Sequence, residues 1–458
     1  SGATSQVQST APFYNVEIVN GSTLSLLEPL KALGTITIQN NTTLTTNDHD
    51  VSIGNNFDFK DGATYSHGSN TTSFTGDQSS DIWVGNTSNA GDLTFNNMRI
   101  SKEQRYDPSL YHDVEVLSGA ARSTNDHPID IQGNLTIERG EFNVNEWEVD
   151  LKGDLQITDG NILYGTSTGF IVMNNASNGQ NIIGTTGGNQ HFGNIEFANG
   201  NGINLQNNLD VNDVKLNQGL VNLDVYNLEI SGDLTTSGTY GSSLMFTTAG
   251  NASDGGLTLP IDLAEGNAGT EILFPIGTGS SYNPAKITQS ATIADSGKIT
   301  ISPVNSYHPS SLDDSKTIEY YWVVDTTGFS SVTYDQLKYT FTYSGTFPGG
   351  VKRGTNLWPG DYTWYDNGNI ENDPYLEFPY NAYLRSDFTL GNPSNFKKPQ
   401  VFYSRVPTSD YNIGSMPQWS DGNTWSTDSI TRPGPWSDSS SCWGADCPPR
   451  WPCWPARL

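Results

Sequence analysis

The chain has 458 residues and a net charge of −27, a length that predicts two to four domains. This acidic balance argues against nucleic acid and anionic membranes as partners, because both carry the same sign of charge as the protein. Charged residues make up only 16% of the chain and hydrophobic residues 34%. That composition excludes a Glu/Lys-rich helical protein and favours an ordered fold over wholesale disorder.

Localisation is predicted from what the sequence lacks. No run of 18 apolar residues occurs, so we expect no transmembrane helix and no membrane insertion. The chain opens Ser1-Gly2-Ala3-Thr4 without a Met or a basic-plus-apolar leader, as expected of a mature secreted chain or a trimmed one. Its cysteines, Cys442, Cys447 and Cys453, lie near the end and predict no disulfide framework for the main body.

The feature that decides the fold is an internal repeat of about 20 residues. Residues 129–140 read IDIQGNLTIERG and residues 149–160 read VDLKGDLQITDG, so that apolar, Gly and Asp/Asn positions superpose. The half-motif apolar-x-apolar-x-x-Gly keeps this register, apart from an insertion between about residues 60 and 130. Copies, some of them loose, start at residues 16, 36, 57, 135, 155, 195, 214 and 234.

This repeat predicts a parallel β-solenoid, a β-helix of about 20 residues per rung, over residues 1–250. Each apolar-polar-apolar stretch makes a short strand with one buried face, and the following Gly or Asn permits a tight corner. Stacked rungs at about 4.8 Å would place Ile131 over Leu151 and Leu135 over Leu155. An antiparallel sandwich or barrel is the alternative, although its strand spacing is usually less regular.

The second half is predicted to carry antiparallel β-modules. Longer alternating strands over residues 251–345 indicate a β-sandwich-like module. Residues 346–417 are rich in Trp, Tyr, Asn and Pro and form either an aromatic-rich module or the remainder of that sandwich. Residues 418–458 form a Trp/Ser/Pro/Cys-rich tail, and the composition of residues 439–458 matches nothing earlier. This indicates a flexible tail, an erroneous reading frame or a truncated gene product.

The solenoid rungs, residues 181–197 (NIIGTTGGNQHFGNIEF) and residues 274–284 (FPIGTGSSYNP) resemble the repetitive surface proteins that Bacteroidota export by type IX secretion. The resemblance covers roughly residues 10 to 345. It implies an adhesin or structural protein that is secreted and found at the cell surface or outside the cell. The family has no single activity, so the resemblance transfers no functional residues.

One loop is predicted to bind a cation. Asp366, Asn369, Glu371 and Asp373 place oxygen ligands at close intervals around Gly368, as calcium requires. The spacing is not that of an EF-hand. An Asx-rich turn without a metal explains the same residues, and no other cofactor is expected.

An aromatic cluster is the predicted glycan contact. Trp358, Tyr362 and Trp364 are close in sequence, and exposed planar rings can stack on the faces of sugars. The alternative is that these rings belong to the buried core of a sandwich.

Motifs for catalysis are weak. Residues 165–169 match G-x-S-x-G but no helix is expected after them, and the histidines show no metal-ligand spacing. Asp130 and Asp150 are predicted to point outward one rung apart, where their repulsion could be relieved by a cation. Ordinary solvent-exposed aspartates are the alternative, and no basic residue is expected beside them.

The sequence therefore predicts a structural or adhesive surface protein that is not an enzyme. The solenoid would be a stiff spacer, and the β-modules would contact glycans, neighbouring surface proteins or other copies of the chain, which could assemble into filaments. Two alternatives remain. One is a carbohydrate-active solenoid enzyme, a lyase or a hydrolase, and the other is a phage or appendage fibre.

Overall fold

A computed structural model of the protein describes most of the chain. The described residues are 4–19, 21–85, 93–103, 113–118, 128–158, 160–162, 168–184, 191–263, 268–290, 295–330, 337–343, 353–357, 364–369, 375–378, 385–396, 403–404 and 425–426.

The described residues form an all-β fold, as predicted. A parallel β-solenoid of about nine turns, with about 22 residues per turn, is followed by antiparallel sheets. Helical structure in the described residues is limited to two 3-10 turns, Asp314–Lys316 and Pro393–Asn395. None of the described residues forms a helix that is long and apolar enough to span a membrane.

Each solenoid turn contributes one strand to each of three faces, because a corner follows every short strand. Two long strands, Leu135–Asn143 and Val214–Asn222, turn a corner and serve two faces. The other strands of face 1 are Val16–Ile18, Ile36–Ile38, Phe57–Phe59, Ser80–Val84, Asp113–Ser118, Gly160–Ile162, His191–Phe192, Leu209–Val211, Leu228–Ile230 and Leu257–Asp262.

The remaining strands complete the other two faces. Face 2 contains Thr4–Val7, Thr23–Leu26, Thr43–Thr45, Thr64–Ser66, Leu93–Phe95, Ile129–Ile131, Glu148–Leu151, Phe170–Met173, Asn194–Ala198 and Leu234–Thr235. Face 3 contains Leu30–Ala32, Val51–Ile53, Thr71–Phe74, Asn97–Ser101, Leu155–Ile157, Gln180–Gly184, Ile203–Leu205, Leu244–Thr248 and Ile276–Thr278.

The core of the solenoid is a set of stacked apolar columns. Ile131 lies in register with Leu151, and Leu135 with Leu155, as the repeat predicts. All four side chains are fully buried. Because one rung cannot bury its own apolar side chains, this stacking supplies most of the hydrophobic stabilisation.

Polar side chains at the corners tie each turn to the next. The side-chain oxygen of Asn97 accepts the backbone N–H of Asn134 at 2.9 Å, and Asn134 does the same for Asp154 at 2.8 Å. Asp154 in turn accepts the N–H of Asn181 at 2.7 Å. These ladders satisfy backbone donors that the corner removes from the sheets, which explains why Asn or Asp follows Gly in the repeat.

The antiparallel region continues the solenoid without a break. Leu257–Asp262 pairs in parallel with Leu228–Ile230 and in antiparallel with Ser296–Val304. The sheet then extends through Thr317–Thr327, Ser386–Gly391, Arg353–Leu357 and Trp364–Asn369. A second antiparallel sheet contains Glu271–Phe274, Ala285–Gln289, Leu337–Thr342 and Tyr375–Phe378.

Aromatic rings join these two sheets into the predicted sandwich. Trp322 stacks on Phe341 with ring centroids 4.7 Å apart, and Phe388 lies 5.1 Å from Tyr339. Parallel pairing persists to Thr278, beyond the boundary expected near residue 250. The described strands between residues 353 and 391 complete the sandwich.

The chain divides into two compact units, residues 1–397 and 398–458. In the second unit, Tyr403–Ser404 pairs in antiparallel with Trp425–Ser426. The rest of the predicted tail lies outside the described residues.

Candidate functional site on the outer surface of the solenoid

The predicted calcium ligands are only partly within the described residues. Asp366 and Asn369 lie on the strand Trp364–Asn369, in register with Thr355 and Arg353, whereas a loop was expected. Glu371 and Asp373 lie outside the described residues. Within the described part of the chain, no group of three His, Cys, Asp or Glu side chains is arranged to hold a metal ion. Calcium binding at residues 366–373 stays a prediction.

The predicted glycan contacts are also only partly within the described residues. Trp358 and Tyr362 lie outside them. Trp364 is only 8% exposed. Its indole stacks on Phe396, with ring centroids 4.3 Å apart, and meets the edge of His308 at 4.6 Å. Trp364 is thus a core residue, the alternative given above, and a sugar would have to displace Phe396 to reach it.

The two aspartates predicted to stack do so. Asp130 and Asp150 are in register on the outer side of face 2. The expectation that no basic residue accompanies them was wrong, because Lys152 Nζ lies 3.6 Å from Asp150 Oδ2. Residues two apart on a rung lie on one side of the strand path, so the lysine reaches back to the carboxylate and offsets the repulsion.

A second lysine, Lys215, lies on the same face, three rungs beyond the strand that carries Asp150. Lys215 Nζ lies 3.6 Å from Glu148 Oε1, 3.9 Å from Glu196 Oε2 and 3.6 Å above the ring of Phe170. All its neighbours come from different rungs, so sequence spacing gave no sign of the cluster. One lysine against two glutamates leaves a single excess negative charge, and the shared cation joins the rungs in a surface network.

A different cluster, on the outer side of face 1, carries a larger excess of acidic side chains. Trp83 is in register with Asp58, and two residues earlier on the same strand Asp81 is in register with Glu115. The alternate residue Ile82 points into the core and is fully buried. The outward side chains are half-buried.

The next rung extends this cluster. Asp113 is in register with Glu141, and both are half-buried. We call the set the acidic face. It consists of Asp58, Asp81, Trp83, Asp113, Glu115 and Glu141.

Two carboxyls of the acidic face have raised proton affinity. Burial raises the pKa of Asp81, and the neighbouring charges of Asp113 and Asp58 raise it further. Burial also raises the pKa of Glu141, with Asp113 adding to the effect. A carboxyl of raised pKa close to other carboxyl groups is an arrangement that general acid–base chemistry uses.

A half-buried lysine borders the acidic face. Lys60 Nζ lies 3.6 Å from Asp58 Oδ2 and 5.7 Å from the ring centroid of Trp83. The lysine neutralises one of the five carboxyl groups and leaves the ring of Trp83 partly open to solvent. A planar ring flanked by hydrogen-bond acceptors is suited to contact a sugar.

A buried lysine supports the strand that carries Asp81 and Trp83. Lys102 is 1% exposed, and its Nζ donates to the carbonyl of Thr75 at 3.0 Å and to the hydroxyl of Ser80. Burial lowers the pKa of Lys102 to about 8, against the opposing charges of Asp113 and Asp77. The ammonium group therefore holds a corner together, and its burial makes it inaccessible to a large ligand.

Sequence reasoning missed the acidic face. Ser80 pairs with Val114 on the next rung of face 1, whereas on regular rungs Val16 pairs with Ile36. The stretch of chain from Ser80 to Val114 is far longer than the regular one. The register of the repeat is lost across this insertion, and the outward positions could not be assigned. The available signal was the alternation Asp81-Ile-Trp-Val84, which puts an acid and a tryptophan on one side of a strand.

Comparison of the chain with protein-family models, with curated proteins and with solved structures finds no match.

Proposed function

We propose that the protein is a secreted structural or adhesive protein of the cell surface, with the solenoid as its stiff spacer. The observation that supports this most is the nine-stranded sheet, which begins as face 1 of the solenoid and ends as one sheet of the sandwich. Load applied to the sandwich would pass to the solenoid through backbone hydrogen bonds and a shared core, without a flexible linker.

Electron microscopy and light scattering of protein from its native source test the spacer role. Rods, or filaments with a repeat longer than one chain, would support it. A compact monomer without self-association would contradict the filament, and an intertwined trimer would favour the phage or appendage fibre.

The ligand we propose is a neutral or amino-sugar glycan bound at the acidic face. The ring of Trp83 offers a stacking surface, and the carboxyls of Asp58 and Asp81 accept hydrogen bonds from sugar hydroxyls. The net charge of −27 disfavours polyanionic glycans.

We expect Trp83→Ala to weaken glycan binding by about tenfold, since loss of a stacked aromatic ring costs on the order of 1–3 kcal/mol. Trp83→Phe should keep most of the affinity because a ring remains. Binding would be measured on a neutral glycan array and then by calorimetry.

Thr136→Ala on face 3 is the matched control, since it removes an outward side chain away from the acidic face and should leave affinity unchanged. The hypothesis fails if the array is flat for the unmodified chain or if Trp83→Ala binds as well as Thr136→Ala.

A carbohydrate-active enzyme is the second candidate, favoured by one observation. Asp81, whose pKa burial raises, lies in register with Glu115 on the next rung, which places a carboxyl of raised proton affinity beside a second carboxyl. In hydrolysis the donor must start protonated, so the rate should fall as pH rises through the raised pKa of Asp81.

For such an enzyme, Asp81→Asn should lower the cleavage rate by about 100-fold or more. The measurement is release of reducing ends from the glycans that bind, across a pH series. Asp130→Asn on face 2 serves as the control. If bound glycans stay intact at every pH, the enzyme hypothesis is excluded and the binding proposal stands.

A further inference from the structure

Face 2 carries a regular array of hydroxyl groups near the start of the solenoid. Thr23, Thr43 and Thr64 are in register on three successive rungs, and so are Ser25, Thr45 and Ser66. The alternate residues Leu44 and Tyr65 point inward and are buried. We call these two rows the hydroxyl face. It consists of Thr23, Ser25, Thr43, Thr45, Thr64 and Ser66.

The spacing of the array is fixed by the fold. Neighbouring rungs lie about 4.8 Å apart, and residues two positions along a strand lie about 6.6 Å apart. Threonine is restricted at χ1, which limits the orientations open to its hydroxyl and methyl groups. The preceding strand Thr4–Val7 continues both rows with Thr4 and Gln6.

The hydroxyls are available to a ligand. Thr64 and Ser66 are exposed, and Thr43 and Thr45 are half-exposed. Among the described residues, the six hydroxyl groups take part in one side-chain hydrogen bond, which Ser25 accepts from Asn47 at 2.8 Å. The rows therefore face solvent with both donor and acceptor capacity.

The chemistry of the hydroxyl face restricts the kinds of partner that it can bind. The three strands of the hydroxyl face and the preceding strand Thr4–Val7 contain no charged residue, although the chain has a net charge of −27. No aromatic ring points outward from them, so the surface lacks the flat apolar platform on which sugar rings stack. A matching partner must be neutral, flat, repeating in two directions and able to donate and accept hydrogen bonds.

We propose that the hydroxyl face binds the surface of ice. The oxygen atoms of an ice crystal plane form a rigid two-dimensional lattice whose repeats are close to the two spacings of the array. Threonine methyl groups order water between the rows, and the hydroxyls anchor it in lattice-like positions. Because side chains and backbone are already ordered, little conformational entropy is lost on binding.

Ice growth in the presence of the full chain tests this proposal, by nanolitre osmometry and by an assay of ice recrystallisation. We expect a gap between melting and freezing temperatures and faceted crystals. The double variant Thr43→Lys/Thr45→Lys should lose both effects, since two charged side chains in the centre of the array prevent close contact.

Thr136→Lys, which places one lysine at an outward position of face 3, is the matched control and should behave like the unmodified chain. Melting followed by circular dichroism shows whether each variant is folded. Ice growth equal to that with an unrelated protein at the same concentration would overturn the proposal, as would equal activity of the double variant. Glycan-array binding by the double variant should be unchanged, which separates this test from that of the acidic face.

Discussion

Replacing Phe95 with Ala is expected to lower the free energy of unfolding by about 3–5 kcal/mol, the range for removing a buried aromatic side chain. Phe95 is fully buried at the centre of a ring cluster inside the solenoid. Its ring centroid lies 5.9 Å from Phe57, 5.8 Å from Tyr65 and 6.4 Å from Phe74. The cavity would open between consecutive rungs, where each rung has only its two neighbours for support.

Urea denaturation followed by circular dichroism measures this change. Thr94→Ala is the control, because Thr94 is the outward neighbour on the same strand and should alter the free energy of unfolding by about 0.5 kcal/mol or less. Equal urea midpoints for the two variants would contradict the role assigned to the ring cluster.

Gln180→Leu is expected to cost at least about 3 kcal/mol, although it makes a buried site more apolar. The Gln180 amide donates to the carbonyls of Leu151 at 2.9 Å and Gly153 at 2.6 Å. Its oxygen accepts from the side chain of Asn199 at 2.9 Å and from the backbone N–H of Asn175 at 3.1 Å. Leucine would remove all four bonds, two of which are fully buried and two part-buried.

The matched control is Gln156→Leu, on the outward side of the same face, where the side chain is exposed. Its effect on the free energy of unfolding should stay within about 0.5 kcal/mol. Thermal melting of both variants distinguishes a buried polar network from a general intolerance of face 3 to leucine. Similar melting temperatures for the two would show that the network contributes little.

The solenoid was predictable because its cause is local. Alternation sets which side chains turn inward, and a constant period places Ile131 on Leu151 and Leu135 on Leu155. The hydroxyl rows follow from the same rule, but in a chain so rich in Thr and Ser the sequence does not distinguish them from other hydroxyl residues. Recognising them requires knowing that residues 23, 43 and 64 occupy one column.

The acidic face was not predictable, and the core position of Trp364 could be given only as an alternative, for two different reasons. Asp81 and Glu115 belong to rungs separated by an insertion, and no period relates them. The burial of Trp364 depends on Phe396 and His308, which lie on distant segments that the antiparallel sheets bring together. Local alternation shows that a ring lies on one side of a strand but not what covers that side.

The continuation of face 1 into the sandwich also protects the molecule from uncontrolled growth. The outermost parallel strand, Leu257–Asp262, would otherwise present a free edge to which any unfolded β-segment could add. Ser296–Val304 occupies that edge, and Ser281–Tyr282 folds back on Ile276–Thr278 of face 3. At this end of the solenoid, two of the three faces therefore offer no free parallel edge to an added strand.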